Sequence, residues 1–329
     1  MSVDLLTLGE SMVSLRSGGP LSAGGALTMH VAGAESNVAV GVARLGHSVA
    51  WAGVVGADPH GEFILRRLRG EGIAVQHRVD TARATGVMFL ERRTADLSRA
   101  YYYRAGSAGS TIGREDVDRA FAAGPGVLHL TGITAALSPD ARRAVEYAAA
   151  RGAAEGLVVS LDVNFRSKLW SRDEARAVLT PLARHATVLI ASDDELGLVA
   201  DDGGTPGSGG RGPAEAEAAE LAMAAELLDR GVREVVVKRG AAGAGVHTAA
   251  GRCEAPAVPV TSIDTVGAGD AFTAGYLSAL LDGGDVAARL KRGTLAGAFA
   301  VSTAGDCEGL PSAAELALLG AAPDGSTQR

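Results

Sequence analysis

The stretch 262-SIDTVGAGDAFTAGYL-277 sets Gly267, Ala268 and Gly269 between two aspartates, Asp264 and Asp270, and then turns apolar. Phe272, Ala274, Tyr276, Leu277, Leu280 and Leu281 recur with helical spacing, and the glycines open backbone conformations closed to other residues. The segment reads as a small-residue turn feeding a helix N-terminus, where unpaired N–H groups and the helix dipole favour an anion. A carboxylate at Asp270 is electrostatically awkward there. It either caps the helix or is placed to take a proton.

Working outward, apolar β-rich runs alternate with Ala-rich helical runs. DLLTLG (4–9), GVLHLTG (126–132), GLVVSLDVN (156–164), ATVLIAS (186–192) and EVVVKRG (234–240) have strand character, while 37–45, 60–71, 139–151, 172–184 and 213–230 suit helices. Such alternation predicts an α/β fold with a mostly parallel sheet covered on both faces and ligands at its carboxyl edge. Two stretches break the pattern. Residues 11–31 and 75–103 hold short β-like pieces without a long helix, and are expected to pair as a small antiparallel lid sheet beside the ligand edge. The Gly/Pro/Ser-rich 201–213 reads as a mobile loop and 322–329 as a frayed tail, within a single domain spanning 1–329.

Composition narrows the function. The chain has 329 residues, 47% of them hydrophobic, enough for a sizeable core. A net charge of −7 offers no broad attraction to nucleic acid or an anionic membrane, and no apolar run approaches the roughly 20 residues of a membrane span. The N-terminal MSVDLLTLGESMVSL lacks a basic n-region and reads as a first strand rather than a signal. Two cysteines, Cys253 and Cys307, form neither a disulfide framework nor a metal spacing, which fits a reducing cytoplasm. Only Lys168, Lys238 and Lys291 are lysines among 31 basic residues.

Four further motifs carry chemistry. In VAGAESNVAVGVARLG (31–46), Gly33 and Ala34 let a ligand approach the backbone and Asn37 faces hydroxyls, unless Asn37 simply caps a helix. In YYYRAGSAGS (101–110), strand alternation puts Tyr102 and Arg104 on one face and Tyr101 and Tyr103 on the other. LDVNFRSKLW (161–170) crowds Asp162, Asn164, Arg166 and Lys168 just past a buried-type strand, and Arg166 is the candidate anchor for a carboxylate or phosphate. VVVKRGAAGAGV (235–246) sets Lys238 before Gly240 and Gly243, either a nucleotide-covering turn or an ordinary hairpin.

Together with VVGADPHGE (54–62), VKRGAAG (237–243) and above all DTVGAGDAF (264–272), these motifs resemble the ribokinase-like sugar kinases, the PfkB family, over nearly the whole chain. The resemblance implies a three-layer α/β/α core with a small β lid. It implies that Gly267, Ala268 and Gly269 form an anion hole for the migrating phosphoryl group and that Asp270 is the general base. Asn164, Ser192, Lys238, Gly240 and Gly243 would line the ATP site, Glu195 would organise Mg²⁺ indirectly, and Asp264 and Thr265 would hold a monovalent cation, K⁺, as in some relatives. Within the family the chain is most similar to 2-keto-3-deoxygluconate kinases. That implies Gly33, Asn37, Tyr102, Tyr103, Arg104 and Arg166 around the sugar acid, no nucleic-acid or membrane partner, and a homodimer or higher homo-oligomer. Met88 stands where these kinases often carry a substrate-contacting tyrosine, and Ser192 where an N-x-x-E motif has asparagine. The rival readings are a kinase for fructose, ribose or another sugar acid, and a non-catalytic sugar-acid sensor.

Overall fold

A computed structural model describes residues 2–94, 97–201 and 212–321. Most of the expected loop at 201–213 and all of the tail at 322–329 lie outside the described residues. In chain order the strands are β1 (Leu5–Leu8), β2 (Met12–Ser17), β3 (Leu27–Ala32), β4 (Val49–Gly56), β5 (Ala74–Asp80), β6 (Val87–Arg92), β7 (Ser98–Tyr103), β8 (Val127–Thr131), β9 (Val158–Asp162), β10 (Val188–Ser192), β11 (Glu234–Lys238), β12 (Ala244–Thr248) and β13 (Gly251–Ala255).

Among the described residues, nine strands form the main sheet in the order β13-β12-β11-β10-β9-β8-β1-β4-β5. Pairing is parallel from β5 to β11, and the β12–β13 hairpin closes the far edge antiparallel. Alternate residues feed opposite cores. Leu189 and Ala191 of β10 pack with helices Arg114–Phe121, Pro139–Ala154 and Arg172–Ala183, whereas Val188 and Ile190 face helices Ala34–Arg44, Pro59–Gly70 and Ala268–Leu281. Burial on both faces is why these strands read as continuous apolar runs.

A second sheet, β3-β2-β6-β7, is built from chain leaving the carboxyl ends of β1 and β5. It differs from the expected lid in two ways. Residues Ala74–Asp80 pair in parallel with β4 as the edge of the main sheet, so they do not belong to the small one. The small sheet is also mixed: β2 pairs antiparallel with β3 but parallel with β6. A short strand of intermediate burial carries too little periodicity to choose its sheet, and parallel β2–β6 pairing follows from both segments leaving the same edge of the core.

Glycines let the helix Ala268–Leu281 seat deeply. A Cβ on Gly275 would lie 2.6 Å from the Arg292 carbonyl oxygen of the neighbouring helix Val286–Val301, nearer than real carbon contacts allow. Gly275→Val is therefore expected to destabilise the fold by about 1–3 kcal/mol through overpacking. The check is a lower urea midpoint with an unchanged slope.

Candidate active site

Helix Ala268–Leu281 begins from Gly267, whose φ of 78° places it in the left-handed region, and its first turn contains Asp270. Gly267 packs against the Asp306 backbone so closely that a Cβ would collide with that carbonyl oxygen. The amides of Gly269 and Asp270 fall in the first turn, where helix geometry supplies no backbone acceptor. The Asp270 carboxylate is half-buried and accepts from Asn37 Nδ2 at 2.8 Å. Withdrawal from water raises its pKa to about 7, against the lowering effects of the Asn37 hydrogen bond, Arg166 and Lys238.

Asn37 does not cap its helix. That helix begins at Ala34, three residues earlier than expected, from Gly33 with φ 146° and no side-chain cap. Asn37 thus sits one turn in, free to point at Asp270. The helix is oriented by Glu35, whose Oε1 accepts from the hydroxyls of Thr131, the last residue of β8, at 2.6 Å and Thr134, just beyond it, at 2.5 Å. Neither the Glu35 anchor nor the earlier helix start was legible, since AGAES has no conventional cap.

At the carboxyl ends of β9 and β11, Asp162 Oδ2 accepts from Lys238 Nζ at 2.7 Å and from Thr273 Oγ1 at 3.1 Å. A Cβ on Gly269 would stand 3.6 Å from Lys238 Nζ, so the ammonium flanks the turn. Asp162 is an addition to the expected site. Its signal was a lone acid ending an otherwise apolar strand.

Two clefts meet at this turn. One, of about 620 Å³, is lined by Lys238, Gly240, Gly243, Thr265, Ala268 and Gly269, with apolar walls from Val258, Pro259, Phe272 and Val301. The other, of about 1100 Å³, is lined by Gly33, Asn37, Tyr102, Arg104, Arg166 and Asp270. Residues scattered over more than 230 positions are thus brought to the walls of two adjoining clefts. The 257–260 wall escaped notice because it carries no motif.

Tyr102 faces the inner side of the small sheet, with Lys168 Nζ 5.3 Å from its ring centroid. Tyr103 reaches the rim of the cleft, but its ring stands edge-on to Phe89 at 5.6 Å, as alternation along β7 dictates. Arg104 is buried, and its Nε donates to Glu10 at 2.7 Å while the Ser107 hydroxyl donates to the other Glu10 oxygen. Arg104 thus arrives already neutralised. Arg166 is exposed and bonded through Nη1 to its neighbour's carbonyl at Phe165, and two further exposed cations line this cleft, Lys168 on the Ala100 carbonyl and Arg172 on the Asp194 carbonyl. Met88 is buried with Met12, Ala32 and Leu90, giving an apolar floor where a tyrosine would have offered a hydroxyl.

Asn164, Ser192 and Glu195 border the site without lining either cleft. Glu195 accepts from the Phe165 amide at 2.6 Å and from the Ser192 amide at 2.9 Å, tying together the turns after β9 and β10. Ser192 Oγ donates to Asp194. Asn164 holds φ 41°, a strained value for a side chain with a Cβ. The expected monovalent-cation pair does not fit a cation: Asp264 Oδ2 accepts from Arg16 Nη1 at 2.7 Å and Oδ1 from the Val266 amide at 3.0 Å, while Thr265 faces the smaller cleft.

A parallel α/β core, a small sheet over its carboxyl edge, and two clefts joined at a glycine-rich helix N-terminus define a ribokinase-like phosphoryl-transfer enzyme. Sequence comparison agrees. The chain belongs to the pfkB family of carbohydrate kinases, whose profile matches residues 4–313. It is 36% identical to the 2-dehydro-3-deoxygluconokinase of Thermoproteus tenax over 95% of this chain and 93% of that protein. It is 32% identical to the protein of the same name from Bacillus subtilis (strain 168), over 96% and 95% respectively. It also superposes with a TM-score of 0.85, at 26% identity, on a putative Ribokinase II of E. coli in complex with ATP and Mg²⁺, covering 97% of this chain and 99% of that one. The protein is an ATP-dependent sugar kinase.

The raised Asp270 pKa makes two outcomes measurable. With Asp270 as the proposed proton acceptor, only its ionised carboxylate is active, so kcat/KM should rise with pH through an acid limb at about 7. Asp270→Asn should lower kcat by about 10²–10⁴-fold. The folded pKa exceeds the unfolded one, so this group's contribution to stability is full below the unfolded value, near 4, and is lost as pH rises through about 7. Asp270→Asn should therefore melt above wild type at pH 8, the difference vanishing near pH 4.

Proposed function

We propose that the enzyme transfers the γ-phosphoryl group of ATP to the terminal hydroxyl of 2-keto-3-deoxygluconate, also called 2-dehydro-3-deoxygluconate, giving the 6-phosphate. The observation that carries this reading is the charge layout of the larger cleft. Asp270 and Asn37 stand at its inner end, Arg104 is neutralised by Glu10, and Arg166 is one of three exposed cations, with Lys168 and Arg172, that bond backbone carbonyls and no carboxylate. A sugar acid uses such a cation and a neutral hexose does not. The names of the two relatives favour the same substrate.

In this reading Asp270 takes the proton of the attacking hydroxyl, the oxygen forms its bond to γ-phosphorus, and the bond to the ADP oxygen breaks. First-turn amides of helix Ala268–Leu281, with Lys238 beside them, hold the charge that develops on the migrating group. The apolar walls at Val258, Pro259 and Val301 suit an adenine ring. Among the described residues no group of three or more His, Cys, Asp or Glu side chains gathers to hold a metal. Glu195 spends both oxygens on backbone amides, so Mg²⁺ would take its ligands from the phosphates and water, with Asp193 and Asp194 within the same turn.

The small sheet acts as a lid over the sugar. Its outer face exposes Leu27, Met29, Tyr101 and Tyr103, an apolar surface that a second copy of the chain would cover in a dimer. Both cysteines are free, and among the described residues no helix is long and apolar enough to cross a membrane, in keeping with a cytoplasmic enzyme.

The test is ADP release with 2-keto-3-deoxygluconate, its galactonate epimer, fructose and ribose, with and without Mg²⁺. Preference for the keto-deoxy acids is expected, and preference for a neutral sugar would discard the substrate. Arg166→Ala should raise KM for the acid by about tenfold or more, on the scale of a charge-assisted hydrogen bond. It should also move the acid limb of the rate profile upward, because Arg166 lowers the Asp270 pKa. An unmoved KM would take Arg166 out of the carboxylate site.

A further inference from the structure

The turn before Gly267 is braced from the small sheet by a side chain that reaches two carboxylates. Arg16, near the end of β2, donates through Nη1 to Asp264 Oδ2 at 2.7 Å and places Nη2 3.1 Å from Asp306 Oδ2. All three side chains are largely withdrawn from solvent, at 13%, 14% and 4% exposure, so the pairing is not a screened surface contact. Asp264 and Asp306 lie on different loops, and both loops support Gly267. Asp264 Oδ1 holds the Val266 amide, which sets the turn just before Gly267, and the Asp306 backbone is the surface against which Gly267 packs. Two carboxylates this close would repel one another and splay the loops without a cation between them.

A metal ion at Asp264 would have to displace either the guanidinium or the Val266 amide, and beside Arg16 it would add like charge. The loop carrying Asp306 is held on its other side as well. Arg44 Nη1 donates to the carbonyls of Cys307 at 3.0 Å and Leu310 at 2.7 Å, and His30 of β3 meets Glu308 at 2.8 Å. Arg16 is thus the link common to the lid sheet, the turn before Gly267 and the loop behind it.

We propose that Arg16 is a built-in cation: a positioning residue that fixes the anion-binding turn and makes phosphoryl transfer independent of potassium. It acts through Gly267 and the first-turn amides and does not touch the reacting atoms. The inference rests on the sugar-kinase reading, and its test includes a measurement that needs no turnover.

Turnover of wild-type enzyme, with the best sugar of the panel, is measured with potassium chloride replaced by tetramethylammonium chloride at equal ionic strength. The rate should change by less than about twofold, since the cation position is filled from within. Arg16→Ala in tetramethylammonium should lose about tenfold or more in kcat, comparable to weakening an oxyanion-type site. Potassium chloride or millimolar guanidinium chloride should restore much of that loss. Thermal melts in the same buffers should show a potassium-dependent rise for Arg16→Ala and none for wild type, whatever the sugar specificity. A several-fold activation of wild type by potassium, a kcat for Arg16→Ala equal to wild type, or a loss that neither cation repairs in a natively folded variant would each overturn the proposal. Should Arg16→Ala fail to fold, Arg16→Lys, which keeps the charge but cannot fork between two carboxylates, replaces it, with a smaller loss and the same potassium response expected. The wild-type arm judges the proposal in either case.

Discussion

One constraint organises the proposed site: a half-buried carboxylate stands at a helix N-terminus, between the two clefts, where the helix already favours a negative charge. The N-terminus of Ala268–Leu281 favours negative charge, but two negative groups cannot share it without cost, and partial burial pushes Asp270 to about 7. Much of the surrounding structure tempers that conflict. Asn37 donates to the carboxylate, Lys238 supplies a positive charge alongside, and Asp162 fixes the lysine. The consequence is a carboxylate that titrates close to neutral pH, in a fold that is less stable for keeping it.

That conflict also explains which features were legible from sequence. A small-residue turn followed by an acid and an apolar helix is a local pattern, so the turn and the helix that carries Asp270 could be read from Ser262 to Leu277 alone. The core strands were legible because burial on both faces leaves them continuously apolar. Partners made across the fold were not. Nothing in MVSLRS reveals that Arg16 will meet Asp264, 248 residues away, and nothing in LGESM shows that Glu10 will neutralise Arg104. The strand Ala74–Asp80 was assigned to the wrong sheet for the same reason, since its alternation is weak and its place is set by the length of helix Pro59–Gly70 returning it to the edge of β4.

Charge neutrality then separates positioning from recognition among the site's cations. Lys238 is paired with Asp162, Arg104 with Glu10 and Arg16 with Asp264 and Asp306, each half-buried or buried. A cation so compensated presents a weaker net field to an incoming anion than an unpaired one, and it holds two segments of chain at fixed separation. Arg166, Lys168 and Arg172 are the contrasting cases, exposed and bonded to backbone carbonyls. Removing one partner of a buried pair leaves the other uncompensated, so such residues tolerate substitution poorly whatever the substrate. Arg166 carries no such obligation to the fold. It can therefore be changed without disturbing the turn that Gly267 opens.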